Sequence, residues 1–263
     1  MQKHTAPPGQ AWRLGAGPFI LSGVPPMCSG DLELINASDE KVKVRAIGAT
    51  GHKGEALAVR GLQEVRLAAR LAPRDRARVR AHFFVDPYTP PGKYTAELAC
   101  GEQREQVVVH VLEKLDVRVA PERLQFRGVA GQVFSQPLVI TNRGNVTHTV
   151  PELALVHLEE RDWFGRSLVY ALRQTEEGES HQAYLDRLLR EIRATDIRPA
   201  RVTFHANPRE IRPGETREVH AEITLPEKLI KGRTYVRAIP FMSTDLYFEV
   251  ECNGTPGSNK RRP

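Results

Sequence analysis

The sequence predicts an all-β protein built from two consecutive antiparallel β-sandwiches, the second with a helical insertion. Three observations support this fold class: short strand patterns at regular spacing, an internal repeat, and one amphipathic helical segment outside the repeat. The chain has 263 residues, more than one small domain usually needs, which favours two domains. Its hydrophobic content of 40% is ordinary for a globular fold.

The N-terminal segment, residues 1–27, is predicted to be an extended arm because its first eighteen positions contain six prolines or glycines. An ordinary first strand is the alternative, and Trp12, Leu14, Phe19 and Ile20 can form it. An arm of this kind can pair with a neighbouring subunit. Both interpretations stay open on the sequence alone.

The clearest strand pattern lies at 136–150, where Leu138 and Ile140 alternate with Val139 and Thr141. Residues 142–145 tolerate positive φ, so the pattern predicts a strand, a tight turn and a second strand. An earlier copy at 31–47 is offset by 106 positions. The corresponding pairs are Leu32 and Leu138, Leu34 and Ile140, Asn36 and Asn142, and Val44 and Val150.

The repeat resumes later with a larger offset. The alternating residues of 79–85 correspond to those of 219–225, now 140 positions apart, so 34 residues are inserted between Val150 and Val219. Each copy closes with a hairpin, at 94–112 and at 234–250. We therefore expect the first sandwich at 28–114, the second at 115–252, and a disordered basic tail at 253–263.

The insertion, at about 157–200, has its own character. Residues 177–194 carry apolar side chains at helical spacing, with Ser180 as a cap and Asp196 and Pro199 as the end. Such a helix is either a lid over the sandwich's own apolar face or a docking surface. Large side chains dominate interface energies, and the interaction residues predicted on this basis are Trp163, Phe164, Tyr184 and Leu188.

The stretch Leu-Val-Ile-Thr-Asn-Arg-Gly-Asn-Val at 138–146 resembles the second-strand signature of bacterial immunoglobulin-like repeats. This group includes the CARDB-like class and the related major-sperm-protein and Hydin-type domains. The segments Ile211-Arg-Pro-Gly-Glu-Thr216 and Pro91-Gly-Lys-Tyr94 share the resemblance, which covers about 28–112 and 115–252. It implies immunoglobulin-like sandwiches that serve as spacers, docking modules or assembly subunits. The 34-residue insertion departs from the family pattern.

The formal charge of +6 is spread along the chain, as +4 over residues 1–112 and +2 over the rest. The densest basic region contains Arg76, Arg78 and Arg80, which share one face if the segment is a strand. This face is either simply solvated or a site for an acidic protein surface or a nucleic-acid backbone. Nucleic acid is disfavoured because Phe84 is the only interleaved aromatic residue.

No catalytic or phosphate-binding motif stands out, so we expect no enzymatic activity, no cofactor and no metal. Cys28, Cys100 and Cys252 form no Cys-x-x-Cys pair and are predicted to be free thiols. No apolar run approaches the ~18 residues of a membrane span. We therefore expect a cytoplasmic protein, or a cell-envelope protein if an export signal lies outside this sequence.

The sequence favours a non-catalytic subunit or adaptor that binds other proteins in a larger bacterial assembly. Strand edges or the helical insertion can also support self-association. An exported adhesin-type or chaperone-like protein is the second hypothesis. A hydrolase that uses the insertion as an active-site loop is the third.

Overall fold

The computed structural model describes residues 11–51, 63–193 and 197–254. Within them the chain forms eighteen strands and two helices and divides into two compact units. The first unit runs to Asp116 and also takes in 143–147 and 212–214, and the second unit comprises the other described residues. Each unit has its own hydrophobic core. The all-β fold class is confirmed: each unit is built of β-strands over its own core, and both described helices lie in the second unit.

The first unit is one eight-stranded sheet folded over its core. Its strands are β1 (Trp12–Leu14), β2 (Phe19–Gly23), β3 (Met27–Asn36), β4 (Val42–Gly51), β5 (Gln63–Leu71), β6 (Arg76–Phe84), β7 (Gly92–Cys100) and β8 (Gln103–Val111). They pair in the order β1-β3-β2-β8-β7-β4-β5-β6, and an additional β3–β6 pairing closes the sheet. Side chains alternate between buried and exposed along these strands because each strand has one face on the core.

The second unit repeats this plan. Its strands are β9 (Val117–Ala120), β10 (Arg123–Val129), β11 (Val133–Asn142), β12 (His148–Thr149), β13 (Leu153–Glu160), β14 (Ile197–His205), β15 (Glu210–Ile211), β16 (Thr216–Thr224), β17 (Thr234–Phe241) and β18 (Thr244–Gly254). The main sheet has the order β10-β18-β17-β13-β14-β16-β11-β9, and β12 pairs with β15 separately. The prediction of purely antiparallel sandwiches needs one correction: β2 runs parallel to β8, and β10 runs parallel to β18.

The register of the strands confirms the internal repeat. In the first unit Leu32 of β3 lies opposite Val79 of β6, and in the second Leu138 of β11 lies opposite Val219 of β16. The offsets of 106 and 140 read from the sequence are therefore the offsets of structurally equivalent strands. Leu32, Leu138 and Val219 are buried, whereas Val79 is half-buried at the margin of its core.

Asn36, the last residue of β3, is buried and hydrogen-bonded on both sides of its amide. Its Nδ2 donates to the carbonyl oxygens of Glu40 and Ala72, each at 2.7 Å, and its Oδ1 accepts from the N–H of Ser38 at 2.9 Å. Its backbone N–H donates to the carbonyl oxygen of Asp75 at 2.8 Å. The side chain thereby ties the end of β3 to the segment that leads into β6.

Asn142 makes the equivalent connection at the end of β11. Its Nδ2 donates to the carbonyl oxygen of Ile211 at 2.9 Å, and its backbone N–H donates to Glu215 at 2.9 Å. The strand, turn and second strand predicted at 136–150 correspond to β11, a bend at 144–146 and β12, but the bend lacks the backbone conformation expected of a tight turn. Residues 142–145 have no positive φ, and β12 pairs with β15 instead of returning along β11. The asparagine is buried as a hydrogen-bonding group and does not form a tight turn.

The described part of the predicted N-terminal arm belongs to the first unit's sheet. Residues 12–14 pair with β3, and residues 19–23 pair with β8. Leu14, Phe19 and Leu21 are buried in the core, which explains why the segment is held as strands. This is the ordinary-strand alternative. Residues 1–10 lie outside the described residues, as do residues 255–263 of the predicted tail, and the first two tail residues, 253 and 254, complete β18.

Both closing hairpins form as predicted. β7 pairs with β8 around Gly101, whose φ of 59° lies in the left-handed region that glycine favours, and β17 pairs with β18. Cys28, Cys100 and Cys252 are buried thiols that form no disulfide, as predicted, and burial raises the pKa of the Cys28 thiol. No helix in the described part of the chain is long and apolar enough to cross a membrane.

We predict that Asn36→Asp lowers the free energy of unfolding by about 2–4 kcal/mol at neutral pH. The substitution keeps the side-chain shape but turns an N–H₂ donor into an oxygen that faces two carbonyl oxygens. Urea unfolding followed by circular dichroism measures the change. The exposed Asn253→Asp is the control and should change stability by less than about 0.5 kcal/mol. Equal stability of the two variants would show that the buried amide contributes only volume.

Candidate interaction surfaces

The insertion between β13 and β14 is a pair of helices, α1 (Trp163–Arg173) and α2 (His181–Arg193). The predicted helix corresponds to α2, and Ser180 caps it as expected, since its Oγ accepts a hydrogen bond from the N–H of Ala183 at 3.2 Å. α1 was not predicted. α2 ends at Arg193, one residue before the predicted limit of 194, and Pro199 lies inside the following strand β14, opposite His157.

The two helices pack against each other through a narrow seam of small and polar residues. Ser167 and Ala171 are the buried residues of α1. Ser167 Oγ donates to the carbonyl oxygen of Glu191 at 3.4 Å, and Arg187 Nη1 donates to that of Ala171 at 3.1 Å. Arg187 also forms an ion pair with Glu179, just before α2. These contacts fix the helices side by side in antiparallel directions.

The helical pair is not part of the second unit's core. The residues of that core all come from the strands and their connections, and none comes from α1 or α2. α2 has no fully buried residue at all. This arrangement favours the docking interpretation of the insertion over the lid interpretation, because a lid would bury its apolar face against the sandwich.

One face of the helical pair is apolar and largely exposed. In α1 one side of the seam carries three residues spaced by four: Phe164, Leu168 and Leu172. In α2 the seam side carries Tyr184 and Leu188, and the row next to it consists of Leu185, Leu189 and Ile192. Because the helices are antiparallel, both rows lie on the same side of the pair. We call these six residues the hairpin face. Four are well exposed: Phe164 and Leu172 at 54%, Leu189 at 47% and Leu185 at 44%.

The structure separates the four predicted interaction residues of the insertion. Phe164 is exposed, with the edge of the Trp163 ring against it at a centroid distance of 5.7 Å, and Trp163 is half-buried. Tyr184 and Leu188 are half-buried on the seam side of α2. Sequence reasoning did not single out Leu172 because α1 itself was missed. Its signal was present as the spacing of four from Phe164 to Leu172.

A buried carboxylate anchors the base of α1 to the sandwich. Glu160, the last residue of β13, is 5% exposed and lies 2.5 Å from Arg166 of α1 and 2.7 Å from Arg233, which precedes β17. The next residue, Arg161, reaches Glu249 of β18 at 2.6 Å, and this hydrogen bond lowers the pKa of the Glu249 carboxyl. The helical pair is therefore held at a defined position on its sandwich and is not attached through a loose loop alone.

The predicted basic face also exists. Arg76, Arg78 and Arg80 are exposed on the outer face of β6, as the alternation predicts. Two of them approach carboxylates of the neighbouring β3: Arg76 lies 3.5 Å from Glu33, and Arg80 lies 3.5 Å from Asp31. The three arginines lie in the first unit and the helical pair in the second, so the predicted interaction residues form two separate sets.

Residues that could support chemistry do not converge in the described part of the chain. Among residues 11–51, 63–193 and 197–254, no cluster of three or more His, Cys, Asp or Glu side chains can hold a metal ion. An open depression in the second unit is lined by Glu152, His205 and Arg209. Arg209 lies 2.9 Å from Glu152 and lowers the pKa of that carboxyl, and His205 lies 3.9 Å from Glu222. The Arg209–Glu152 ion pair is exposed to solvent.

Comparison with known proteins identifies no family. No family model matches the sequence, and no curated protein matches it. Among solved structures, the adhesin InvE of Yersinia pseudotuberculosis is 12% identical with a TM-score of 0.29, covering 92% of this chain and 59% of its own. The E. coli chaperone DraB is 14% identical with a TM-score of 0.26, covering 92% and 98%. A tandem of titin immunoglobulin domains is 10% identical with a TM-score of 0.25, covering 94% and 98%. Likenesses at this level assign no function.

We predict that Glu160→Gln destabilises the second unit by about 1–3 kcal/mol, because it removes the charge that two arginines share. The adjacent Glu159→Gln is the matched control. Glu159 pairs with Arg237 at 2.5 Å but is 36% exposed, so its loss should cost less than about 1 kcal/mol. Urea unfolding measures both variants, and hydrogen exchange should show faster opening of α1 only in Glu160→Gln. Equal effects of the two changes would mean that the anchor contributes no more than a surface ion pair.

Proposed function

We propose that this chain is a non-catalytic subunit or adaptor of a larger assembly, and that the hairpin face is its docking surface for another protein. The observation that carries the proposal is the exposed apolar face on helices that contribute nothing to the sandwich core. Contiguous exposed apolar patches on globular proteins commonly mark interaction sites. The resemblance of 138–146 to CARDB-like repeats, which serve as spacers and docking modules, supports the same role.

Rigid presentation of the face supports docking further. Glu160 and Arg161 fix α1 to the strands below it, and the polar seam fixes α2 to α1. A surface that is already ordered loses little conformational entropy when a partner binds. Leu172, Leu185 and Leu189 would then act as anchors in a pocket or groove of the partner, with the surrounding charged residues as the rim. We place this role in the cytoplasm, where buried free thiols are stable.

Site-specific photo-crosslinking in the native cell tests the proposal. A photoreactive residue replaces Leu189 on the hairpin face, and in a matched control it replaces Ala183, which is exposed on the opposite side of α2. We expect a discrete crosslinked product from position 189 and none from position 183. Leu172→Glu, across the seam on the same face, should reduce this product at least about tenfold because it places a charge in an apolar contact.

The stability of Leu172→Glu provides the second control. Leu172 is exposed, so the free energy of unfolding should change by less than about 1 kcal/mol, and loss of crosslinking then cannot be attributed to unfolding. A product that contains two copies of this chain would identify a self-assembling subunit, and a product with another protein would identify an adaptor. Equal products at positions 183 and 189, or none at either, would contradict docking through this face.

A further inference from the structure

The arginines of β6 lie on a strand that has an open edge. On one side β6 pairs with β3 along its whole length, from Arg76 opposite Ile35 to Phe84 opposite Met27. On the other side β5 pairs with β6 only at 65–67. β5 pairs with β4 on its other side, both at 63–66 and at 69–71, but residues 68–71 of β5 do not pair with β6. In the described part of the chain, residues 76–80 of β6 therefore have no strand on their second side.

The side chains along this edge give it a strong positive character. Arg76, Arg78 and Arg80 project to the exposed face, and Arg66 and Arg70 of β5 are exposed beside them. The alternate residues, Ala77 and Val79, face the core but are only half-buried, because no neighbouring strand covers them. An added strand would cover these two side chains and face the arginines at the same time.

Part of this positive charge is available to a ligand. Arg80 lies 3.5 Å from the exposed Asp31 and Arg76 lies 3.5 Å from the half-buried Glu33, and such long pairs at the surface contribute little stability. Arg80 also donates a hydrogen bond of 2.7 Å to the Ser29 hydroxyl, which is neutral and leaves its charge uncompensated. For Arg78 the structure shows no carboxylate partner among the described residues. The guanidinium group of Arg66 lies over the ring of Phe84, 5.5 Å from its centroid, which holds it at the rim of the edge.

The geometry restricts the kind of ligand. A second copy of β6 would place arginine against arginine, so the edge repels itself. Single-stranded nucleic acid needs aromatic faces for its bases, and the exposed ring of Phe84, at the far end of β6, has Arg66 over its face. An open strand edge instead offers backbone donors and acceptors at the repeat of an extended peptide. The arginines, at every second residue, match carboxylates at every second residue of that peptide.

We infer that the open edge of β6 at 76–80 binds an extended acidic peptide, which adds as a strand and places alternating Asp or Glu side chains against the arginines. This site would recognise a partner segment of about five to seven residues, the length that the open edge can pair. It lies on the first unit and does not depend on the hairpin face of the second unit.

Fluorescence anisotropy of a labelled peptide that alternates Glu with Thr or Val tests the inference on the full chain. We expect saturable binding that weakens as salt is added. Arg78→Glu should weaken it about tenfold, since an attractive charge becomes a repulsive one. The matched control is Arg201→Glu on β14, an exposed arginine of the second unit, which should leave the affinity unchanged. Circular dichroism checks that both variants are folded, and Arg78→Ala replaces Arg78→Glu if that variant is not.

Strand addition has its own readouts. Hydrogen exchange should slow at 76–80 when the peptide binds, and the same peptide with proline at alternate positions should not bind, because it lacks the N–H groups of a paired strand. Equal binding of the proline-containing peptide would overturn strand addition. Tighter binding of a random-sequence DNA oligonucleotide, an unchanged affinity in the Arg78 variant, or no binding of the acidic peptide would overturn the site itself.

Discussion

Each sandwich depends on one buried amide, at the end of β3 in the first unit and of β11 in the second. Asn36 and Asn142 are buried away from water, so their N–H₂ groups must donate to backbone carbonyls. The accepting carbonyls belong to the segments that lead into β6 and β16. A shift of one residue would leave these groups without partners and would also turn the apolar face of the strand to water. The amide thus sets the strand register that places the apolar residues of both strands in the core.

The sequence identified the position of Asn142 but predicted a tight turn there instead of a buried hydrogen-bonding amide. Asparagine is favoured in tight turns and also satisfies backbone groups when buried, and a local pattern does not distinguish the two. The helices show the same limit. α2 was predicted because Ser180 caps it and its apolar residues are periodic. α1 was missed because Gly165, a poor helix former, interrupts its pattern, and in the structure Asp162 makes no side-chain cap for it.

The two candidate surfaces also differ in how much of each could be predicted from the sequence. That the β6 arginines share a face follows from strand geometry alone, and it was predicted. The exposed side of α2 was not predicted from the sequence. Tyr184 and Leu189 lie within one broad apolar arc of the helix, and only the position of α1 decides which part of that arc is covered. The open edge of β6 was also beyond local inference. It exists because the pairing of β5 with β6 stops at Leu67 while its pairing with β4 continues to Leu71, and such pairing between separate strands is not encoded in a local pattern.

The edges of the sheets show why the two proposed surfaces differ in kind. Three prolines lie where their strand has a partner on one side only: Pro137, Pro199 and Pro240. The missing N–H of each proline costs no pairing on the open side, and the proline prevents a further strand from adding there. β6 is protected at 76–80 by arginine instead, which excludes like charge but admits acidic chains. The hairpin face is apolar, and salt does not screen apolar contacts, whereas the arginine edge loses attraction as ionic strength rises. If both proposals hold, added salt would release the partner of the arginine edge and leave the partner of the hairpin face bound.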